Sequence, residues 1–406
     1  MLKVDRMLTV DQLRRSPNAI AADYRHSKVD ARVLLTGHSH QASPDCSLQG
    51  QSEAWLMAAR NIEARWDDAL EQAMQVRTGF AQLIDCEPER IALAGSVHDL
   101  VVRFLSALPI TPRRRKIVTT DGEHPSINRQ LYRAQEAGFE IVTVTVEPVD
   151  SVVTRVQREI DDHTIAVFIS SVFFETGQIA FEMDTLMPVC QRFGAQLFVD
   201  AYQTVNVLPF SLRESNLENA FVVGGGTKYC QLGDGIAFMH VPEFCNLRPW
   251  VTGWFGTFDA LSDNPATVPI VYGDNHQRFD GSSYDPTPHY RAVHVFDYFR
   301  RKGLTPEFLH DVNRHQLRFM ASAFRDFGLD PKIIRVTNSV EHLGGFLSFV
   351  TPHAQRLCEI LRDVGIHTDY RKHWLRMGPA PYLNDEQLSD AMGGLEESLR
   401  HLLPRR

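Results

Sequence analysis

From Glu53 to about Gly79, apolar residues recur with a helical period. Trp55, Ala58, Ile62, Trp66, Leu70 and Met74 fall on one stripe, which predicts a single long amphipathic helix with its tryptophans in a core. Beyond it the pattern changes to short apolar runs alternating with amphipathic segments. Ile91-Ala-Leu-Ala reads as a strand, Gly95-Ser96 as a turn, and Leu100, Val101, Phe104 and Leu105 as one face of a following helix. Strands are then expected at Lys116–Thr120, Glu140–Val146, Ile165–Ser170, Gln196–Asp200, Ala220–Val223 and Gly235–His240. Helices fit Ser126–Gly138, Ser151–Ile160 and Met183–Phe193. This alternation implies an α/β fold with a mostly parallel sheet and helices on both faces. The strand at Gly235–His240 follows a short loop and is expected to run antiparallel at the sheet's edge.

The flanks read differently. Residues 1 to about 50 are polar and irregular after a short opening helix, and Leu34-Leu-Thr-Gly-His-Ser39-His40 interrupts them, either as cover over a pocket or as a surface turn. After Pro242 comes a loop-rich region, Trp250 to Pro288, then a helix at roughly Tyr290 to Lys302 and a smaller α+β unit. In that unit Gly344–Val350 and His367–Met377 read as strands, and Ala354–Val364 and Asn384–Leu402 as helices. The organisation expected is an arm over 1–52 that contributes to the active site and the small domain, a large α/β domain over 53–288, and a small α+β domain over 289–406. No internal repeat or low-complexity segment interrupts it.

Bulk properties narrow the function classes. A chain of 406 residues is long for one core, and 43% hydrophobic with 23% charged residues is ordinary for a soluble globular protein. A formal charge of −8 argues against a nucleic-acid surface, and the one basic run, Arg113-Arg-Arg-Lys116, reads as a solvated turn. The six cysteines show no CxxC or Cys/His spacing, so reduced thiols and no metal site are expected. No signal peptide and no apolar run near the roughly 18 residues of a membrane helix is visible. A cytoplasmic protein without a membrane segment is the expectation.

The candidate chemistry lies in Gln196-Leu-Phe-Val-Asp200-Ala-Tyr-Gln203 and Val223-Gly-Gly-Gly226-Thr227-Lys228. An apolar strand ending in a carboxylate is expensive to bury without a partner. The three glycines would let backbone approach a ligand and leave the Lys228 side chain room to project. Two strand ends can hold an acid and an amine over one crevice, where open α/β sheets bind ligands. An acid for a pyridinium nitrogen and a lysine that forms an imine are what pyridoxal 5'-phosphate (PLP) chemistry needs; the competing reading of Lys228 is a solvated loop lysine. A P-loop requires Gly-Lys-Ser/Thr where this chain has Gly-Thr-Lys-Tyr, no GxGxxG follows the first strand, and no GxSxG elbow is present. Gly95-Ser96-Val97 at a helix start is a weak anion site, since serine is also an ordinary N-cap.

Asp200-Ala-Tyr-Gln-Thr-Val-Asn and Gly226-Thr-Lys228-Tyr resemble kynureninase, as do Phe174-Glu175-Thr-Gly-Gln178 upstream and Gly253-Trp254-Phe255-Gly256 downstream. Kynureninases are fold-type I PLP enzymes near the class V aminotransferases and cysteine desulfurases. The resemblance runs from about Leu34 to the C-terminal helix and implies a seven-stranded-type sheet, a homodimer and an α-amino-acid substrate. It makes Lys228 the cofactor's imine partner and Asp200 the partner of the ring nitrogen. It puts Ser96, Val97 and Thr227 at the phosphate, with Trp254 reaching it from the neighbouring subunit. His124 would stack on the ring and Ser170 lie near its oxygen, with Gln203 and Ser282 completing the cofactor contacts. Arg376 would grip the substrate α-carboxylate, with Ser39 and Glu175 beside it. Kynureninases usually carry Tyr where this chain has Thr227, His at Gln203 and Tyr at Glu175, which implies an altered substrate pocket. The function expected is Cβ–Cγ cleavage of an amino-acid side chain. The alternatives are a C–S β-lyase, a class V aminotransferase, or a PLP-fold protein that binds without turnover. A desulfurase is disfavoured because no cysteine sits in a glycine-rich catalytic loop.

Overall fold

The computed structural model describes residues 8–260 and 269–402. The arm holds α1 (Val10–Arg14) and β1 (Val33–Leu34), and α2 (Cys46–Arg60) and α3 (Arg65–Ile84) follow. The large sheet is built from β2 (Ile91–Ala94), β3 (Lys116–Thr120), β4 (Glu140–Val144), β5 (Thr164–Ser170), β6 (Gln196–Asp200), β7 (Phe221–Gly225) and β8 (Ala237–His240). Between them run α4 (Val97–Ala107), α5 (Pro125–Glu136), α6 (Val152–Arg158) and α7 (Leu186–Phe193). After β8 come α8 (Thr287–Lys302), α9 (Pro306–Asp326), β9 (Arg335–Val336), β10 (Leu347–Val350), α10 (Ala354–Asp363), β11 (Ile366–His367), β12 (Asp369–Arg371), β13 (Trp374–Met377) and α11 (Asp385–Leu402).

The seven strands pair in the order β2-β8-β7-β6-β5-β3-β4, parallel except for β8. Every residue of β5 is buried, as a parallel strand covered on both faces requires. β4 carries exposed Glu140 and Thr143 and lies at the edge. The antiparallel run of β8 agrees with the sequence, but its place does not. It lies between β2 and β7, because Ile91–Ala94 pairs along its outer side, Ile91 opposite His240 and Ala94 opposite Ala237. One face of the sheet is covered by an aromatic layer. Phe198 has Phe168 and Phe221 as register neighbours, and Phe104 of α4 packs on all three at centroid distances of 4.8–5.6 Å. That packing anchors α4 with its N-terminus at the end of the sheet where β5 and β6 finish.

The long helix expected from Glu53 is two helices, broken at residues 61–64. Trp55 and Ile62 are 71% and 74% exposed, so the apolar stripe is not a core face. Small residues set the packing instead: Gly50 and Ala54 are the buried positions of α2, and a Cβ on Gly50 would stand 2.5 Å from the carbonyl oxygen of Tyr290 in α8. Trp66, by contrast, packs on Phe255 and Tyr284.

The 21-residue α9 was not expected from the sequence. Thr305 caps it by accepting from the Phe308 N–H, proline follows at its first position, and Leu309, Val312, Leu317 and Met320 form its buried stripe. The second sheet, β12-β13-β10-β9, is antiparallel. The strand expected over His367–Met377 is interrupted: β11 pairs with β1 of the arm, and the chain then reverses between β12 and β13 with Lys372 at φ 51°. Among the described residues no helix is long and apolar enough to cross a membrane, and no group of His, Cys, Asp and Glu could hold a metal ion.

Phe104 is fully buried at the centre of the aromatic layer. Its replacement by alanine is predicted to lower the unfolding free energy by about 3–5 kcal/mol. Urea titration followed by circular dichroism measures this, and a loss below about 1 kcal/mol would show that the layer does not depend on it.

Candidate active site

The parallel register brings the functional strand ends together. Ser170, last in β5, lies opposite Asp200, last in β6, and Asp200 lies opposite Val223 of β7. The chain then leaves β7 through Gly224-Gly225-Gly226 to Thr227 and Lys228. The glycines do not leave open space around the lysine. A Cβ at Gly224 would meet the Phe238 ring at 2.6 Å, one at Gly225 the Tyr202 ring at 2.7 Å, and one at Gly226 the Ile236 side chain at 2.5 Å. The glycines are required because the protein's own side chains fill those positions.

A cavity of about 440 Å³ opens over these strand ends. Lys228 is half-buried, its Nζ 4.6 Å from the centre of the Tyr202 ring and 6.0 Å from that of Phe174. Burial holds its pKa down to about 8, the Asp200 charge opposing the shift and the Arg376 charge adding to it. Asp200 is buried, and desolvation raises its pKa against the opposing effects of Lys228 and the Tyr202 N–H, which donates to Oδ1 at 2.9 Å. A buried acid and a half-buried amine with opposite shifts, facing one cavity, make it the candidate reactive site. A larger groove of about 980 Å³ between α3 and α8 contains neither residue.

Nine of the expected residues share this wall: Ser39, Ser96, Val97, His124, Ser170, Asp200, Gln203, Thr227 and Lys228. Ser96 is the N-cap of α4, accepting from the Asp99 N–H and donating to the Asp99 carboxylate, so the capping role is realised on the cavity wall. His124 caps α5 by accepting from the Ser126 N–H. Its imidazole is held down to about 4 by burial and by the positive charges of Lys228, Arg371 and Arg376, which leaves it neutral as a flat aromatic wall. The Ser170 hydroxyl donates to Glu123 Oε2 at 2.6 Å, while the Ser170 N–H and the Thr120 hydroxyl donate to Oε1. Gln203 donates to the His38 carbonyl of the arm, and its buried Oε1 has no partner among the described residues.

Four expected residues are not brought to the wall. The Arg376 guanidinium is completely buried against Asp369 and the Phe174 carbonyl. Glu175 pairs with Lys372 at 2.8 Å. Trp254 is 47% exposed beside Phe255, and Ser282 is exposed next to Gly253. Several wall residues had escaped the sequence reading. Tyr202 donates to Thr227 Oγ1 at 3.1 Å and accepts from the Thr227 N–H, and Thr227 in turn donates to Asp234. Phe174 and Arg371 face the same space, and Glu123 buttresses Ser170 from behind. Tyr202 lies two residues after Asp200, which was its one visible signal. No cysteine of the described residues lines the cavity. Burial pushes the thiols of Cys46, Cys86, Cys190, Cys230 and Cys245 up.

The donor set fits PLP. A buried carboxylate short of cationic partners suits a protonated ring nitrogen. A depressed lysine suits an imine, and the start of α4 with Ser96 suits a phosphate. The fold is that of fold-type I PLP enzymes, and the wall suits that cofactor. The chain belongs to the class-V aminotransferase family, whose profile matches residues 47–259, and PLP is its cofactor. It is 29% identical over 238 residues to the uncharacterized aminotransferase YcbU of Bacillus subtilis, covering 55% of this chain and 62% of the relative. It is 27% identical over 235 residues to the uncharacterized aminotransferase C777.03c of Schizosaccharomyces pombe, 56% of this chain and 57% of the relative. The match thus spans about 60% of the length of these curated relatives. Among solved structures, the cystine C–S lyase C-DES superposes with a TM-score of 0.80 at 17% identity, covering 91% of this chain and 99% of that one. The cysteine desulfurase of Thermococcus onnurineus NA1 does so at 0.79 and 17%, covering 96% and 99%. At such identities the structures show the shared fold.

Burial, opposed by hydrogen bonds from Ser170 and Thr120, pushes the carboxyl of Glu123 up from 4.5 to about 7. The folded protein therefore keeps a proton there after the unfolded chain has released it. The group's stabilisation is complete below about pH 4.5 and is lost as pH rises to about 7, to the extent of roughly 3 kcal/mol. Wild type minus Glu123→Gln, compared by chemical denaturation of the cofactor-free protein across pH 4.5–7, is predicted to show this slope. A difference that does not vary with pH would place the Glu123 pKa at an ordinary value.

Proposed function

We propose that this chain is a PLP-dependent lyase or hydrolase that breaks a bond at Cβ of an α-amino acid, kynureninase-like in class with an altered substrate pocket. The observation that carries this reading is the pair Asp200 and Lys228 at neighbouring strand ends of a cavity whose described lining holds no cysteine. The cofactor, when bound, supplies an electron sink for the substrate's Cα. Lys228 removes and returns the proton at Cα, for which an amine with pKa about 8 is suited. Asp200 keeps the ring nitrogen protonated. Ser96, Val97 and Thr227 hold the phosphate, and the neutral His124 covers the ring. Breaking Cβ–Cγ next to a carbonyl also needs a group that moves protons at the carbonyl oxygen. The Tyr202 hydroxyl, hydrogen-bonded to Thr227 beside Lys228, is in place for this.

The second reading is a C–S β-lyase. It is favoured by Thr227 and Gln203, since a thiolate leaving from Cβ needs no further acid or base beyond Lys228. A desulfurase that captures sulfur on its own thiol finds no support among the described cavity residues. We further propose a homodimer with the Trp254 region at the interface, supported by the exposure of Trp250, Trp254, Ile270 and Val271 on one stretch of chain. A cytoplasmic location fits six unpaired cysteines. The functional parts proposed are the arm over 1–52, the large unit over 53–288 and the small one over 289–406.

The purified protein is predicted to show a visible absorption band that borohydride bleaches, with the reduced adduct on Lys228. Lys228→Ala should lack the band, and a band that persists would place the cofactor on another lysine. Asp200→Asn should bind cofactor but lose at least about 100-fold in turnover. Products decide between the readings: alanine from a γ-keto amino acid supports Cβ–Cγ cleavage, and pyruvate with ammonia and thiol from a cysteine conjugate supports β-elimination.

A further inference from the structure

Glu123 lies in the turn between β3 and α5, buried behind the part of the cavity wall that Ser170 forms. Its two oxygens are not equivalent. Oε1 accepts twice, from the Thr120 hydroxyl at 2.7 Å and from the Ser170 N–H at 3.0 Å. Oε2 accepts from the Ser170 hydroxyl at 2.6 Å. A backbone N–H cannot reverse its hydrogen bond, whereas a hydroxyl can. A neutral Glu123 therefore carries its proton on Oε2 and donates it to Ser170 Oγ. That releases the Ser170 hydrogen to point into the cavity. When Glu123 is ionised, Oε2 holds that hydrogen and Ser170 presents only a lone pair to the cavity.

Burial brings the Glu123 pKa up to about 7, so both arrangements are populated near neutral pH. The charge of Asp200, directly opposite Ser170 in the register of β5 and β6, adds to the shift. Two other titratable groups share its turn. Asp121 is turned away to accept from the Val146 N–H, and His124 is neutral near pH 7. Lys228 faces Asp200 across the cavity.

We propose that Glu123 is a positioning residue of the cofactor site, whose own proton decides whether the Ser170 hydroxyl donates to the cofactor's ring oxygen or accepts from it. This rests on the reading of the cavity as a PLP site, with Ser170 facing that oxygen. A hydroxyl free to donate favours an ionised ring oxygen, so the proton on Glu123 tightens cofactor binding. The sign follows by linkage: the contribution is complete below about pH 7 and is lost as pH rises through the higher pKa that Glu123 takes in the loaded protein.

The test measures the affinity of the cofactor-free protein for two probes between about pH 6 and about pH 9. One is PLP. The other is 3-deoxypyridoxal 5'-phosphate, which lacks the ring oxygen and keeps the ring nitrogen, aldehyde and phosphate. Titration of Lys228 and Asp200 acts on both probes and is removed in the ratio of their affinities. Ionisation of the ring oxygen itself acts alike on wild type and Glu123→Gln and is removed by comparing them. The wild-type preference for PLP is expected to fall about tenfold more than that of Glu123→Gln across this range. The glutamine amide donates to Ser170 Oγ at every pH, so this variant should keep the preference that wild type shows at about pH 6. Ser170→Ala should lack that preference at every pH, and it reads the same link independently of how Glu123→Gln folds. A pH dependence of the preference that is equal in wild type and Glu123→Gln, or equal in wild type and Ser170→Ala, overturns the proposal. Failure of wild type to bind PLP at all overturns the reading of the cavity itself, an outcome separate from the behaviour of either variant.

Discussion

A carboxylate closes β6: the fully buried Leu197, Phe198 and Val199 lead directly to Asp200. Isolated, such a charge is too costly to keep, and the protein relieves it only in part, through one backbone N–H and the nearby lysine. The lysine is in the complementary position, its own charge disfavoured by the same burial. Neither group fully settles the other. A cofactor that offers a cationic ring nitrogen to one and an aldehyde to the other relieves both at once, and a ligand that binds only the folded state stabilises it by RT ln(1 + [L]/Kd). The electrostatic tension at the ends of β6 and β7 is thus a property of the chain that cofactor binding uses.

The tension can persist because the surroundings hold it in place. The aromatic layer of Phe104, Phe168, Phe198 and Phe221 fixes β5, β6 and β7 from one side. The arm closes the site from the other. Its Gln41 N–H donates to the Thr227 carbonyl, its His38 carbonyl accepts from Gln203, and the His38 ring stacks on Phe346 and bonds Asp369. One short stretch, residues 38 to 41, therefore ties the strand ends of the large sheet to the hairpin of the small one. A displacement of the hairpin would be felt at Thr227 through these contacts.

Much of this was legible where a local pattern carries it. Buried parallel strands read as apolar runs, and β3, β5 and β6 were found within a residue, while β7 runs two residues further, into the glycines, than the strand expected at Ala220–Val223. Asp200 and Lys228 stood out because charge at the end of such a run needs an explanation. What stayed hidden depends on partners distant in sequence or on which face a residue takes. The stripe of Trp55 and Ile62 has a helical period, but Gly50 against Tyr290 decides which side of α2 is inside. The interior place of β8 follows from its pairing with β2, about 145 residues earlier in the chain. Arg376 was expected to grip a substrate carboxylate, and its motif shows nothing of the hairpin register that sets Asp369 directly opposite it.

The same distinction between sequence position and position in space bears on the reaction. Thr227 precedes the lysine where kynureninases usually carry a tyrosine, and read along the chain this removes a phenol from the site. In the fold, the glycine at 225 leaves room for the ring of Tyr202, whose hydroxyl reaches Thr227 Oγ1 at 3.1 Å while its face lies 4.6 Å from the lysine amine. A phenol is therefore present beside Lys228 after all, supplied from the end of β6 instead of from the loop after β7. Burial raises its pKa, so it stays protonated and able to donate. The departure at Thr227 alters how the phenol is held and what it hydrogen-bonds, and a phenol remains in the acid–base inventory of the cavity.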